Sequence, residues 1–223
     1  LELIRRLAAA RPASIEVGSF VRPDLLPQMA DTPALCEQLE QAPWVAEARA
    51  AGVRFAGLVP NRRGYERILE TSLEEITMLV SATDAHSKAN VNKTVAEALE
   101  ESCGLIRDAK QQGRYSRLYI SMAFRCPIEG RTDPQQVLDI TRAVYETGAD
   151  RILLSDTLGV AERGDVELNG RPLSLVRFDS LLCDGSGGGG LGGFGVLGNR
   201  SVAGARFTNR GFTSGHDSTV ERP

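Results

Sequence analysis

The sequence predicts an α/β fold built around a parallel sheet, and three observations carry that prediction. Short apolar segments rich in Ile, Val and Leu recur along residues 1–160, with the length and composition of buried parallel strands. Longer segments with helical character separate them. Several of these have legible ends, a capping residue or proline at the start and a glycine after the last turn. Such alternation with short connections calls for parallel strands joined by right-handed helical crossovers.

The elements follow in order. Leu3, Ile4 and Leu7 recur at helical spacing, so the chain opens in a helix. LELIRRLAAA reads as the middle of a βα unit rather than a signal peptide, and a strand is expected before it. Ile15 to Phe20 (IEVGSF) is the first strand. Thr32-Pro33 gives an N-cap and a proline at the first helical position, and Gly52 closes that helical region. Arg54 to Val59 (RFAGLV) and Ile76 to Ser81 are the next strands. SATDAHSKANVN, Ser81 to Asn92, then reads as a polar loop between strand and helix. Thr94-Val-Ala-Glu97 is a capping box that opens a helix, whose free N–H groups, with Lys88 close by, favour an anion. A plain solvated loop would have the same composition. Gly113 ends that helix, Leu118 to Ala123 (LYISMA) is a strand, Asp133-Pro134 starts another helix and Gly148 ends it. Arg151 to Ser155 is the fifth strand.

Five βα units suit either a complete doubly wound sheet or part of a (β/α)8 barrel, and pattern alone does not choose. No GxGxxG follows the first strand, which disfavours a dinucleotide-binding sheet. A net charge of −3 argues against nucleic acid or a membrane surface as partner. No apolar run reaches the length of a membrane span. The four cysteines form no CxxC pair, which fits free thiols in a reducing, cytoplasmic compartment and disfavours structural zinc.

Composition divides the chain into a domain at 1–161 and a tail at 162–223. The tail holds 14 of the 23 glycines, no lysine, and the run DGSGGGGLGGFGVLG, whose GxGxxG spacing follows from glycine density alone. It is expected to be poorly ordered, with one good hairpin turn at Asn169-Gly170.

Four motifs end near the C-terminal ends of the expected strands: IEVGSFVRPDLLPQMAD (Ile15 to Asp31), SATDAHSKANVN, SMAFRCPIEG (Ser121 to Gly130) and LLSDTLGVA (Leu153 to Ala161). Together they resemble the hydroxymethylglutaryl-CoA lyase family, metal-dependent enzymes built on a TIM barrel. Related synthases and carboxyltransferase domains share the layout but look less similar at SATDAHSKANVN. The resemblance implies a partial TIM (β/α)8 barrel of about five βα units, followed by a Gly-rich irregular tail. It also implies cleavage of 3-hydroxy-3-methylglutaryl-CoA to acetyl-CoA and acetoacetate, late in leucine breakdown. That chemistry needs a base for the C3 hydroxyl, a divalent cation (Mg²⁺ or Mn²⁺), and an acid for the departing carbanion.

By the same resemblance, Glu16 and Asp156 are the candidate catalytic carboxylates. Ser19, Lys88, Asn90, Asn92 and Arg117 are candidates for holding an acyl-CoA thioester, with Lys88 suited to a phosphate. His86 is assigned no chemistry, and Cys126 suits a buried free thiol as well as a site position. A homo-oligomer is compatible with the family. The sequence departs from the family where metal is bound. The first-strand Asp-Arg pair would precede Leu1, the HxH pair is missing, His216 stands alone in the tail, and Phe194 replaces the expected loop cysteine. No metal ligand is therefore assigned. The expectation is an incomplete copy with little or no turnover, marginally stable because both outer strands present open edges. A non-catalytic acyl-CoA-binding remnant and a related synthase or carboxyltransferase are the alternatives.

Overall fold

The computed structural model describes residues 1–161, and the five expected strands are present there. They are β1 (Ser14–Ser19), β2 (Arg54–Leu58), β3 (Glu75–Ser81), β4 (Tyr115–Ser121) and β7 (Arg151–Leu154), the last preceded by a small hairpin of β5 (Arg125–Cys126) and β6 (Gly130–Arg131). The large sheet runs β1-β2-β3-β4-β7 with every neighbouring pair parallel. That order decides between the two architectures. A doubly wound sheet reverses its strand order at a switch point, whereas here each strand lies beside its predecessor, as in a barrel wall. The described residues form a five-strand segment of a (β/α)8 barrel. The tail at 162–223, with the Asn169-Gly170 turn, Cys183, Phe194 and His216, lies outside them.

Seven α-helices and a short 3-10 helix at Pro27–Met29 accompany the sheet among the described residues: α1 (Glu2–Ala9), α2 (Thr32–Gln41), α3 (Pro43–Ala50), α4 (Arg62–Leu69), α5 (Asp84–Val91), α6 (Val95–Gln111) and α7 (Pro134–Glu146). Strand side chains alternate between two faces. Ile15, Phe55, Ile76, Met78, Val80, Leu118, Ile120, Ile152 and Leu154 point to the helix side and form the core. Packing over it, α6 lies on β3 and β4 and α7 on β4 and β7. The approach is close at Gly57, where a Cβ would stand 2.8 Å from Phe20 Cε2 and 2.9 Å from Ile68 Cδ1. No helix among the described residues is long and apolar enough to cross a membrane.

Several local expectations change. The helical region opened by Thr32 is two helices, because Pro43 forces Ala42 into an extended conformation with ψ 118°. Asp31 rather than Thr32 takes the cap position, and the Thr32 hydroxyl instead donates to the Met29 carbonyl at 2.9 Å. The polar stretch after β3 is not a loop throughout, since Asp84–Val91 is α5. β4 stops at Ser121, where Met122 turns into the left-handed region at φ +56°. The Thr94 capping box forms as expected, and Gly52, Gly113 and Gly148 adopt positive φ just beyond α3, α6 and α7.

Candidate active site

The inner face of the sheet is polar. Glu16 on β1 pairs across to Ala56, which pairs to Glu75, while Thr77 pairs with Arg117. Parallel registers therefore set two carboxylates and an arginine on neighbouring positions of one surface. Glu75 is fully buried and Arg117 is 2% exposed. A charge so placed is stable only when paired. Glu75 forms an ion pair with Arg117 and a second with Arg54, whose Nε lies 3.1 Å from Oε2. The Arg117 Nη1 donates to the Tyr119 hydroxyl at 3.0 Å, and the Arg54 guanidinium stacks on the Tyr115 ring at 4.2 Å.

Glu16 faces this cluster. By surface area the residue is exposed on the edge strand β1, while its carboxyl lies beside the charged groups of the wall. Loss of water raises its proton affinity above the ordinary carboxylate range. The Thr77 hydroxyl and the Arg117 guanidinium pull it down, Glu75 pushes it further up, and the net direction is upward. The Thr77 hydroxyl is fully buried and completes no hydrogen bond of ordinary geometry, so its influence on Glu16 is one of proximity. Burial works against the charge on Arg117, yet Glu75, Tyr119 and Glu16 more than offset this, and the guanidinium stays charged. A carboxyl poised to take up a proton beside a fixed cation is suited to acid–base work.

At the C-terminal ends of the strands, short polar side chains tie the backbone together. Ser19 Oγ accepts from the Val21 N–H at 3.3 Å. Ser81 Oγ accepts from the Thr83 N–H at 3.3 Å and lies 3.0 Å from His86 Nδ1, so the imidazole braces α5 against β3. Met122, left-handed without being glycine, is held by the Thr157 hydroxyl, which accepts from its N–H at 3.1 Å, and by the Thr132 hydroxyl, which donates to its carbonyl at 2.6 Å. Such strain gathers where a fold carries function. Burial pushes the Cys126 thiol up, but hydrogen bonds from the Thr83 hydroxyl and the Glu129 and Ile128 N–H groups bring it below the usual thiol value. Asp156 follows β7, and its carboxylate accepts from the N–H groups of Val160 at 3.2 Å and Ala161 at 2.8 Å.

Lys88 and Asn90 are exposed on α5, and Asn92 terminates it in the left-handed conformation at φ +56°. The start of α6 is not open to an outside anion in the way expected. The Asp84 carboxylate accepts from the Val95 N–H at 2.7 Å, and the Thr94 hydroxyl accepts from the Glu97 N–H at 3.2 Å. The chain's own side chains have taken those donors.

Of the expected residues, Glu16 and Arg117 come together on the inner wall. Ser19 and Asp156 sit at the ends of β1 and β7, on the two outer strands of the described sheet, and Lys88, Asn90 and Asn92 stand beyond β3. Glu75, Arg54 and Tyr119 were missed. Their signal is polar or charged side chains at period two within otherwise apolar strands, as at Glu75 and Thr77 on β3 and Tyr115, Arg117 and Tyr119 on β4, which makes sense only once the inner face is known. For a divalent cation, the described residues offer no group of three His, Cys, Asp or Glu side chains that could hold one. Residues 1–161 by themselves do not fit a metal centre.

The HMGL-like family pattern matches residues 1–168. A 3-hydroxy-3-isohexenylglutaryl-CoA/hydroxy-methylglutaryl-CoA lyase of Pseudomonas aeruginosa is 35% identical over 164 residues, 74% of this chain and 52% of that protein. An (R)-citramalyl-CoA lyase of Chloroflexus aurantiacus is 36% identical over 163 residues, 72% of this chain and 51% of that protein. In three dimensions, the HMG-CoA lyase of Brucella melitensis superposes with a TM-score of 0.65 at 36% identity, covering 74% of this chain and 56% of that one. The chain spans about half the length of the curated relatives it matches. A sequential parallel wall, a carboxylate and an arginine on its inner face, and the match over most of the chain agree: it belongs to the HMGL-like family.

Proposed function

We propose that this chain is part of a carbon–carbon lyase acting on a 3-hydroxyacyl-CoA thioester, with 3-hydroxy-3-methylglutaryl-CoA as substrate and acetyl-CoA and acetoacetate as products. The supporting observation is Glu16, a carboxyl of raised proton affinity facing a buried arginine on the inner wall. In this reading the Glu16 carboxylate accepts the C3 hydroxyl proton. The C3–O electrons form the new ketone as the C2–C3 bond breaks, and the departing acetyl-CoA carbanion takes a proton from an acid. Asp156 serves at the far side of the site. Lys88, Asn90 and Asn92 meet the CoA moiety, Lys88 as a point charge for phosphate, and Ser19 lines the rim. Such chemistry belongs to leucine breakdown and ketone-body formation, here in the cytoplasm. The family relies on a divalent cation, read here as Mg²⁺ or Mn²⁺. Because residues 1–161 do not assemble its ligands, no step above is routed through it.

That same lack of a ligand group among the described residues favours a second reading, an acyl-CoA-binding protein without turnover. The test is an assay with 3-hydroxy-3-methylglutaryl-CoA, and with citramalyl-CoA, in Mg²⁺ or Mn²⁺, alongside calorimetry with CoA. Turnover that Glu16→Gln abolishes supports the lyase. Binding weakened by Lys88→Ala without turnover supports the second reading. Neither turnover nor binding removes both.

A further inference from the structure

The inner wall holds more charge than one acid–base carboxylate requires. Glu16 is one strand and one alanine away from Glu75 across the β1–β2–β3 register. Two carboxylates on one wall, Glu75 buried and Glu16 exposed at its edge, repel each other unless a cation stands between or beside them. Arg117 is that cation. It reaches back from β4 to pair with Glu75, and its Nη1 donates to the Tyr119 hydroxyl two residues along the same strand. Its Nε is buried and completes no hydrogen bond of ordinary geometry, so the guanidinium is anchored at one end and retains an unused donor at the other. Arg54 takes the second oxygen of Glu75 and rests on Tyr115, which leaves Arg117 bound to the first. The arrangement is rigid, with both anchors on strands rather than loops.

We propose that Arg117 is a positioning residue: clamped between Glu75 and Tyr119, its guanidinium supplies the fixed positive charge against which the Glu16 carboxylate exchanges its proton. This rests on the reading of Glu16 as the acid–base group, but it is tested without turnover. The charged and titratable groups of the wall are Glu16 on β1, Arg54 on β2, Glu75 on β3, Tyr115, Arg117 and Tyr119 on β4, and Arg151 on β7, with the Thr77 hydroxyl among them. Among these, Arg117 is both buried and in the field of Glu16, and Glu16 in turn raises the proton affinity of Tyr119, after burial. The influence is mutual, as expected of titratable groups placed on one wall.

The experiment is a carbon-13 NMR titration of the full chain carrying labelled glutamate carboxyls. Glu16 is assigned by the resonance lost in Glu16→Gln, and Glu97, at the start of α6, serves as an internal control. Arg117→Met is expected to raise the Glu16 midpoint by about one pH unit, the usual size for removing one opposite charge nearby. Arg117→Lys should restore most of it, and Glu75→Gln should lower it, while Glu97 titrates as before in all three. A merely structural role would move Glu97 and Glu16 together or neither. If Arg117→Met does not fold, Tyr119→Phe carries the test, because it frees one end of the guanidinium and should raise the Glu16 midpoint. An unchanged Glu16 midpoint in the folded variants overturns the proposal. A shifted midpoint in a chain that neither binds nor cleaves CoA thioesters would leave this network standing and remove the lyase reading instead.

Discussion

Replacing Glu75 by leucine should be among the most damaging single changes in the described residues. Glu75 is fully buried and holds two guanidinium groups, that of Arg117 at 2% exposure and that of Arg54, whose side chain is 29% exposed. Glu75→Leu strands the Arg117 charge in the wall without its main partner, and breaking one side of a buried pair costs about 3–5 kcal/mol. Against the roughly 5–15 kcal/mol that holds a domain together, this is a large fraction. Arg117→Leu should cost less, because Glu75 still keeps Arg54 at 3.1 Å. The double variant is the informative one. With both charges gone, no ion is left buried unpaired, and two leucines replace the pair with apolar volume. It should lose less than the sum of the single losses by about 1–3 kcal/mol, and should be more stable than Glu75→Leu alone. Urea unfolding can be followed by the fluorescence of Trp44, the single tryptophan, which meets Phe55 edge-on at 6.1 Å and so reports sheet–helix packing. Additivity of the two single losses to within about 0.5 kcal/mol would show that the residues do not act as a pair and would refute the reasoning.

Other consequences can be measured on the same preparations. Gly57→Ala places a methyl 2.8 Å from Phe20 and 2.9 Å from Ile68, so overpacking should cost about 1–3 kcal/mol in urea unfolding, and an unchanged midpoint would mean that the helices give way easily. Thr94→Ala removes the capping box of α6 and should cost about 1 kcal/mol, with faster hydrogen exchange at the Glu97 amide as its local mark. Burial lowers the proton affinity of His86 below its ordinary 6.5, so protons bind the unfolded chain more readily. Its contribution to stability is whole above that value and shrinks as the pH falls toward the lowered folded-state midpoint. The difference in stability between the parent chain and His86→Gln should narrow over that window, and a constant difference would count against the burial argument.

Much of the fold was legible. The strands at Ile15, Arg54, Ile76, Leu118 and Arg151 lie where short β-branched runs end in turn chemistry, and the Thr94–Glu97 box marks the start of α6 because its hydrogen bonds are local. Two errors were also local: Pro43 split one expected helix, and Asp84 to Val91 was read as a loop because polar residues dominate it. The candidate site was legible only in part. Glu16 and Arg117 follow from family resemblance rather than from spacing, and Glu75, which pairs with Arg117, stands just before the expected strand at Ile76 with no local mark of its burial.

Which segments are strands, and where most of the helices begin and end, follow from side chains a few residues apart, and the alternation of the two calls for a parallel sheet. That the strands lie side by side in sequential order, and which arginine meets which glutamate, come from the assembled sheet. Strand register joins residues about 20 to 40 positions apart, and Glu16 and Arg117, on β1 and β4, are farther apart still. Nothing in the local chemistry of either residue records the other; the pairing of backbones across the sheet brings them to one wall.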